Sequence, residues 1–220
     1  KKKPEEQPKN GLGIMNLATG EVTTVDRVKS FKLAEESSTF VAYLMEPPLK
    51  MPDEKKDEAK KEESKTEEAK KEEKKKEPGN DLIIHELASG KETKVAEVAD
   101  YIWAKPGTWL AYGVSSKTPE NDGAFAWEAA SGKTVALLKG LGNYKNLTFD
   151  EKGTQLAFTG DRDDYKSERS ASKLYYWTPA ANKLPPAAGA TELVPGTAKG
   201  FPAGMAVSEN GKPQFSKDGG

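Results

Sequence analysis

A short turn signature recurs along the chain and constrains its fold more than any other feature. Asn16-Leu17-Ala18-Thr19-Gly20-Glu21 returns as Glu86-Leu87-Ala88-Ser89-Gly90-Lys91 and again as Glu128-Ala129-Ala130-Ser131-Gly132-Lys133. Each copy follows an apolar or alternating run (Leu12 to Leu17, Leu82 to Leu87, Ala124 to Glu128) and precedes another, such as Val22 to Val25 or Thr134 to Leu138. Small polar residues closing on Gly between two such runs mark a β-hairpin, because Gly accepts the positive φ of a tight turn.

A second landmark follows each hairpin. The stretch Trp103-Ala104-Lys105-Pro106-Gly107-Thr108-Trp109-Leu110-Ala111-Tyr112 matches Phe149-Asp150-Glu151-Lys152-Gly153-Thr154-Gln155-Leu156-Ala157-Phe158 position for position. A looser copy runs from Phe31 to Phe40-Val41-Ala42-Tyr43 with extra residues in its turn. In each, an aromatic residue ends one strand, a polar turn follows, and the next strand closes with Ala and an aromatic. Ala111 and Ala157 lie 46 residues apart, and Gly90 and Gly132 lie 42 apart. Both steps fit the period of about 40–50 residues of a four-stranded propeller blade.

The expected fold is therefore all-β, a partial β-propeller of about four blade units of four-stranded antiparallel sheets, the last incomplete. Sheets this small bury their faces only by stacking on one another. Residues 1–10 read as an N-terminal tail and 11–220 as the propeller segment. The last unit begins at Ser172-Lys173-Leu174-Tyr175-Tyr176-Trp177 and passes through Glu192-Leu193-Val194 and Met205 to Ser208. It stops at Phe215-Ser216-Lys217-Asp218-Gly219-Gly220, which matches Phe149 to Gly153, so the sequence reads as a truncated or cut domain. Such an open arc is expected to be marginally stable or to self-associate.

Residues 47–79 read as a charged insert between the first and second blade units. Of the 26 residues from Pro52 to Glu77, 10 are Lys and 11 are Asp or Glu, so this low-complexity segment accounts for much of the chain's low apolar content. Pairs such as Asp57 with Lys61 and Glu67 with Lys71 have helical i,i+4 spacing. With no apolar stripe the segment cannot dock on a core, and it reads as a solvated helix or as fluctuating disorder. A loop there can be long because closure entropy grows slowly with length.

Composition excludes several functions. There is no cysteine, hence no disulfide or thiolate metal site. The 34 basic and 35 acidic residues balance, giving no electrostatic case for a nucleic-acid partner or an anionic membrane. No apolar run is long enough to span a bilayer. The single histidine, His85, lies inside a strand-like run and reads as an ordinary strand residue. Gly113-Val114-Ser115-Ser116-Lys117 fails the nucleophile-elbow pattern at its last position. Asp161-Arg162-Asp163-Asp164-Tyr165 reads as a solvated turn with a local ion pair rather than a calcium loop, since Arg162 interrupts the carboxylates. Trp103, Trp109, Trp127, Trp177, Tyr112 and Phe158 recur at equivalent strand positions and read as inter-blade core. The segment is expected to carry no catalytic, cofactor-binding or metal residues and to need no cofactor.

The units Lys105 to Tyr112 and Glu151 to Phe158 resemble the WD-like repeat shared by TolB-like and prolyl-oligopeptidase propellers. Leu87 to Glu92, Trp109 to Lys117, Gly160 to Tyr165, the Lys/Glu insert after Tyr43-Leu44-Met45-Glu46-Pro47-Pro48, and Gly200 to Met205 are similar to the propeller of a bacterial prolyl-oligopeptidase subgroup. The resemblance implies a serine peptidase, an enzyme of proteolysis whose propeller caps and gates an active site acting on short peptides. It implies two partners, a C-terminal α/β-hydrolase domain of the same parent chain and a peptide substrate, and an exported parent. The triad would lie in that hydrolase, so no catalytic residue carries over. The alternative is a TolB-like propeller scaffold for protein–protein binding with no hydrolase domain.

Overall fold

The computed structural model describes residues 9–47, 76–167, 170–179, 189–193, 202 and 205–219. Thirteen strands are present among them: β1 (Leu12–Met15), β2 (Val22–Val25), β3 (Val28–Leu33), β4 (Phe40–Met45), β5 (Asn80–Glu86), β6 (Glu92–Trp103), β7 (Trp109–Val114), β8 (Gly123–Glu128), β9 (Thr134–Lys139), β10 (Tyr144–Phe149), β11 (Leu156–Gly160), β12 (Lys173–Trp177) and β13 (Thr191–Glu192). Every pairing is antiparallel, and β1–β2, β3 to β9 and β10 to β13 are three runs of sequential neighbours.

The seven-stranded run is two four-stranded sheets sharing one long strand. The first part of β6 pairs with β5, from His85 opposite Glu92 to Asn80 opposite Val98. Its second part pairs with β7, from Val98 opposite Val114 to Trp103 opposite Leu110. The register shifts on both sides next to Val98, and Glu97 has φ 58°. A bulge of this kind bends a strand and lets it leave one sheet and enter the next. The arc thus comprises the outer hairpin β1–β2, a sheet from β3 to the first half of β6, a sheet from the second half of β6 to β9, and a sheet from β10 to β13. This is a partial β-propeller.

The three copies of the turn signature close hairpins as expected. Gly20, Gly90 and Gly132 have φ of 76°, 71° and 67°, and their amides donate to the carbonyls of Asn16, Glu86 and Glu128. Each such hairpin joins the third and outer strands of a sheet.

Two expectations change in phase. A repeat of the sequence runs from third strand through outer strand to the first and second strands of the following sheet, so it is offset from the sheet by two strands. The charged insert therefore falls between sequence repeats but inside a sheet: its flanking strands β4 and β5 are paired from Phe40 opposite Glu86 to Leu44 opposite Leu82. Residues 48–75, and with them the readings of that insert as helix or disorder, lie outside the described residues. Likewise β12 and β13, read as starting a fourth unit, complete the third sheet. Past them, the described residues hold a bridge from Val207 back to Ser172 and turns at Ser208 to Gly211 and Ser216 to Gly219.

The looser copy also shifts. Leu33, not Phe31, ends β3: Leu33 faces Val41 as Trp103 faces Leu110 and Phe149 faces Leu156. Phe31 opposes Tyr43 and so corresponds to Tyr101, which opposes Tyr112.

Three clusters form the core, each between successive sheets. Ala42, Leu44, Leu82 and Ile84 of the first full sheet meet Tyr101, Trp103, Leu110, Tyr112 and Trp127 of the second. Ala111, Ala124 and Ala126 of the second meet Leu147, Leu156, Phe158, Tyr175 and Trp177 of the third. Period-2 alternation gives each sheet two apolar faces, the one toward the following sheet carrying Ala42 in the first sheet and Ala111, Ala124 and Ala126 in the second. At these alanines the face is low enough to leave room for aromatic rings such as Trp103 and Phe158 from the following sheet.

Candidate functional site

The first strands of the successive sheets, β3, the second half of β6, and β10, stand side by side. Tyr101 Oη and Ser30 Oγ are 3.1 Å apart, and Trp103 Nε1 donates to the Lys32 carbonyl. Gly113 allows β7 to approach β10, since a Cβ there would sit 2.7 Å from the Tyr144 carbonyl oxygen. Two cavities open at opposite ends of the seam between β6 and β10.

One, of about 350 Å³, is walled by Lys32, Leu33, Ile102, Trp103 and Phe149. Its rim is made by the turns that join first to second strands. Lys105 hydrogen-bonds Glu151 and lies 3.7 and 3.8 Å from Glu36 and Glu35. The hydrogen bond to Lys105 holds the Glu151 carboxyl below its ordinary range and Glu151 raises the ammonium in turn; Lys217 adds to the effect on Glu151. Glu36, Lys105, Glu151 and Lys217 thus alternate in sign along successive turns. Beneath them, burial would raise the carboxyl of Asp150, but hydrogen bonds from the Gln155 amide and from the Thr154 hydroxyl and amide outweigh it and lower the pKa.

The other cavity, of about 450 Å³, is lined by Lys76, Ser115, Asn143, Tyr144 and Tyr165 among others. Behind it, Asp122 is fully buried and accepts the Ser116 amide at 2.7 Å, the Gly142 amide at 3.4 Å and the Lys76 ammonium. Lys76 also donates to the Gly142 carbonyl at 2.6 Å and lies 5.7 Å from the Tyr165 ring centre. A buried carboxylate with an ammonium and two amide donors is compensated rather than reactive.

The residues singled out from the sequence are spread over other places. His85, on β5, has Nδ1 3.1 Å from a Glu92 oxygen that also accepts the Tyr43 hydroxyl at 2.7 Å. The hydrogen bond from Tyr43, and then His85, lowers Glu92; burial first, and Glu92 second, raise Tyr43. The acidic run divides its work. Asp161 is buried and accepts Asn143 N, Asn143 Nδ2 and Ser170 Oγ; Asp163 pairs with Arg162 and Lys173; Asp164 accepts Ser167 Oγ and the Ala171 amide. The recurrent aromatics are buried, with Trp103 edge-on to Trp127 at 6.2 Å and Trp109 edge-on to Trp177 at 5.1 Å. Lys105 and Glu151 carry opposite charges at matching positions of successive repeats, which is the signal in the sequence for their pairing. Lys76 with Asp122 offered none.

Taken together, the seam presents aromatic walls, a rim of alternating charge and fixed polar groups at its two ends.

The fold defines the class as a partial β-propeller. Solved structures to which the chain is similar include the β-propeller domain of the Trilobed protease from Pyrococcus furiosus, at 11% identity and TM-score 0.46, covering 76% of this chain and 41% of that one. The tricorn protease is matched at 14% identity and TM-score 0.47, over 84% of this chain and 18% of that one. A prolyl endopeptidase is matched at 11% identity and TM-score 0.45, over 79% and 25%. The chain spans less than half the length of each. No protein-family model matches it, and no curated protein does.

Proposed function

We propose that this chain is a non-catalytic propeller segment that caps and gates the active site of a prolyl-oligopeptidase-like serine peptidase acting on short peptides. A hydrolase domain of the parent chain would carry the chemistry, and the segment would restrict what reaches it. One observation supports this reading most: the first strands of successive sheets line a common seam with a cavity at each end. A groove of that kind, walled by rigid sheets, excludes folded proteins by size while accommodating an extended peptide. The repeat's resemblance to prolyl-oligopeptidase propellers points the same way.

The test begins with the full gene and continues with the protein it encodes. A downstream Gly-x-Ser-x-Gly elbow followed by Asp and His is expected, with hydrolysis of peptides that fades as substrate length increases. Substituting the elbow serine by alanine should abolish hydrolysis while these sheets stay folded. A parent with no hydrolase would replace this reading with the scaffold, and hydrolysis surviving the serine substitution would overturn the assignment of chemistry to that domain.

A further inference from the structure

The ammonium of Lys76 crosses from one sheet to the next two. Lys76 lies on the strap of residues 76–79 that leads into β5 of the first full sheet. Its partners belong elsewhere: Asp122 precedes β8, Gly142 precedes β10 and Tyr165 follows β11. The strap is fixed to the end of β7, where the Ser115 hydroxyl donates to the Glu77 carbonyl at 2.7 Å and the Gly79 amide donates to the Ser115 carbonyl at 2.8 Å. Lys76 therefore reaches over one end of the seam and helps to line the cavity of about 450 Å³ there.

The groups that receive this ammonium are held in place by other bonds. Asp122 has no exposed surface; its Oδ1 accepts the Ser116 amide at 2.7 Å, and its Oδ2, the atom paired with Lys76, also accepts the Gly142 amide at 3.4 Å. Gly142 is packed closely, since a Cβ there would meet Arg162 Cα at 2.9 Å. A second buried carboxylate acts on the same spot: burial first, then Asp161 and Asp122, raise the pKa of the Tyr165 hydroxyl. The neighbouring cation, Arg162, pairs with Asp163. A buried carboxylate and a carbonyl accept two N–H donors, and the face of a ring attracts the charge they carry. Two separate acceptors suit the compact ammonium of a lysine rather than the planar fork of an arginine.

We propose that Asp122, the Gly142 carbonyl and the Tyr165 ring form a binding site for the primary ammonium of a lysyl side chain, filled in cis by Lys76 and in trans by a lysine-bearing peptide that displaces it. Lys76 is then an autoinhibitory ligand. While it is seated, the strap and its side chain occupy this end of the seam. Its side chain is already 13% exposed beside the cavity, so it can turn to solvent without unpacking a sheet. The choice of a peptide as the carrier rests on the reading of the seam as a peptide passage; the ammonium site itself does not.

The probe is acetyl-Gly-Lys-Gly-amide, whose one charge is the lysyl ammonium, with acetyl-Gly-norleucine-Gly-amide as its uncharged match. Added to the full chain carrying Lys76→Ala, the lysyl peptide should raise the urea midpoint and the norleucine peptide should not. Adding Asp122→Asn to that chain should remove the response. The unsubstituted chain should bind the lysyl peptide about tenfold or more weakly, because Lys76 must leave first. If Lys76→Ala does not fold, the unsubstituted chain decides: the Ser116 and Gly142 amide resonances should shift with the lysyl peptide alone, and no shift up to the limit of its solubility would overturn the proposal. So would equal responses to the two peptides, equal affinity with and without Lys76, or a response that survives Asp122→Asn. None of these readings uses hydrolysis. A chain that binds the lysyl peptide within a parent that hydrolyses nothing would retain the ammonium site and lose the gating role.

Discussion

The indole N–H of Trp103 donates to the carbonyl oxygen of Lys32 at 3.1 Å and ties the first strand of one sheet to that of the sheet before it. The ring also stacks on Phe40 and meets Trp127 edge-on, each at 6.2 Å, so one side chain fastens two sheets by packing and by a hydrogen bond. Trp103→Ala should destabilise the chain by about 3–5 kcal/mol. Trp103→Phe, which keeps much of the packing but strands the Lys32 carbonyl, should fall well short of that. Urea unfolding followed by circular dichroism separates the two, and equal losses would show that packing contributes little.

Ala111 has no exposed surface and faces the aromatic side of the next sheet. Enlarging it should wedge the sheets apart, so Ala111→Leu is expected to cost about 1–3 kcal/mol although it adds apolar surface. The urea midpoint should drop. A neutral or stabilising effect would mean the inter-sheet gap is wider than the cluster around Phe158 and Trp177 indicates.

Much of this was legible in the sequence, and particular residues show where legibility ended. The turns at Gly20, Gly90 and Gly132 are local, so a few residues specify them. The small and aromatic positions of Leu110-Ala111-Tyr112 recur visibly, but which neighbouring sheet each one faces depends on stacking. The two-strand offset was hidden because β4 pairs with β5 across the charged insert, and pairing across a long loop leaves no local mark. Phe31 is the aromatic landmark of the looser copy, but register follows backbone hydrogen bonds, and these set Leu33 at the strand end opposite Val41. At the seam, Lys76 and Asp122 meet across 46 residues with no repeat relating them.

Tyr175 is 2% exposed, and among the described residues its buried hydroxyl has no hydrogen-bond partner. Its ring stacks on Phe158 at 5.4 Å, and the ring is the part that packs. A buried hydroxyl left unpaired is a penalty of roughly 1–3 kcal/mol relative to water. Tyr175→Phe should therefore be neutral or raise the urea midpoint. A clear loss of stability would reveal a partner for the hydroxyl.

Asp150 supplies the pH dependence that can be assigned to one group. Its carboxylate accepts the Thr154 amide at 2.7 Å, the Thr154 hydroxyl at 2.9 Å and the Gln155 amide at 2.8 Å, and these bonds outweigh burial and lower its pKa. A carboxyl lowered in the folded state binds its proton more readily in the unfolded chain, where the ordinary value is about 3.9. Its contribution is therefore complete above that value and is lost as pH falls through the lower, folded one. Asp150→Asn retains an acceptor for the amides but has no charge to titrate. The stability difference between the two proteins should be constant from about pH 7 to 5 and shrink below about pH 4. Other carboxylates titrate in both proteins and drop out of that difference. Urea midpoints measured across this range decide the matter: a difference independent of pH would show that the turn at Asp150 is held by geometry and not by charge.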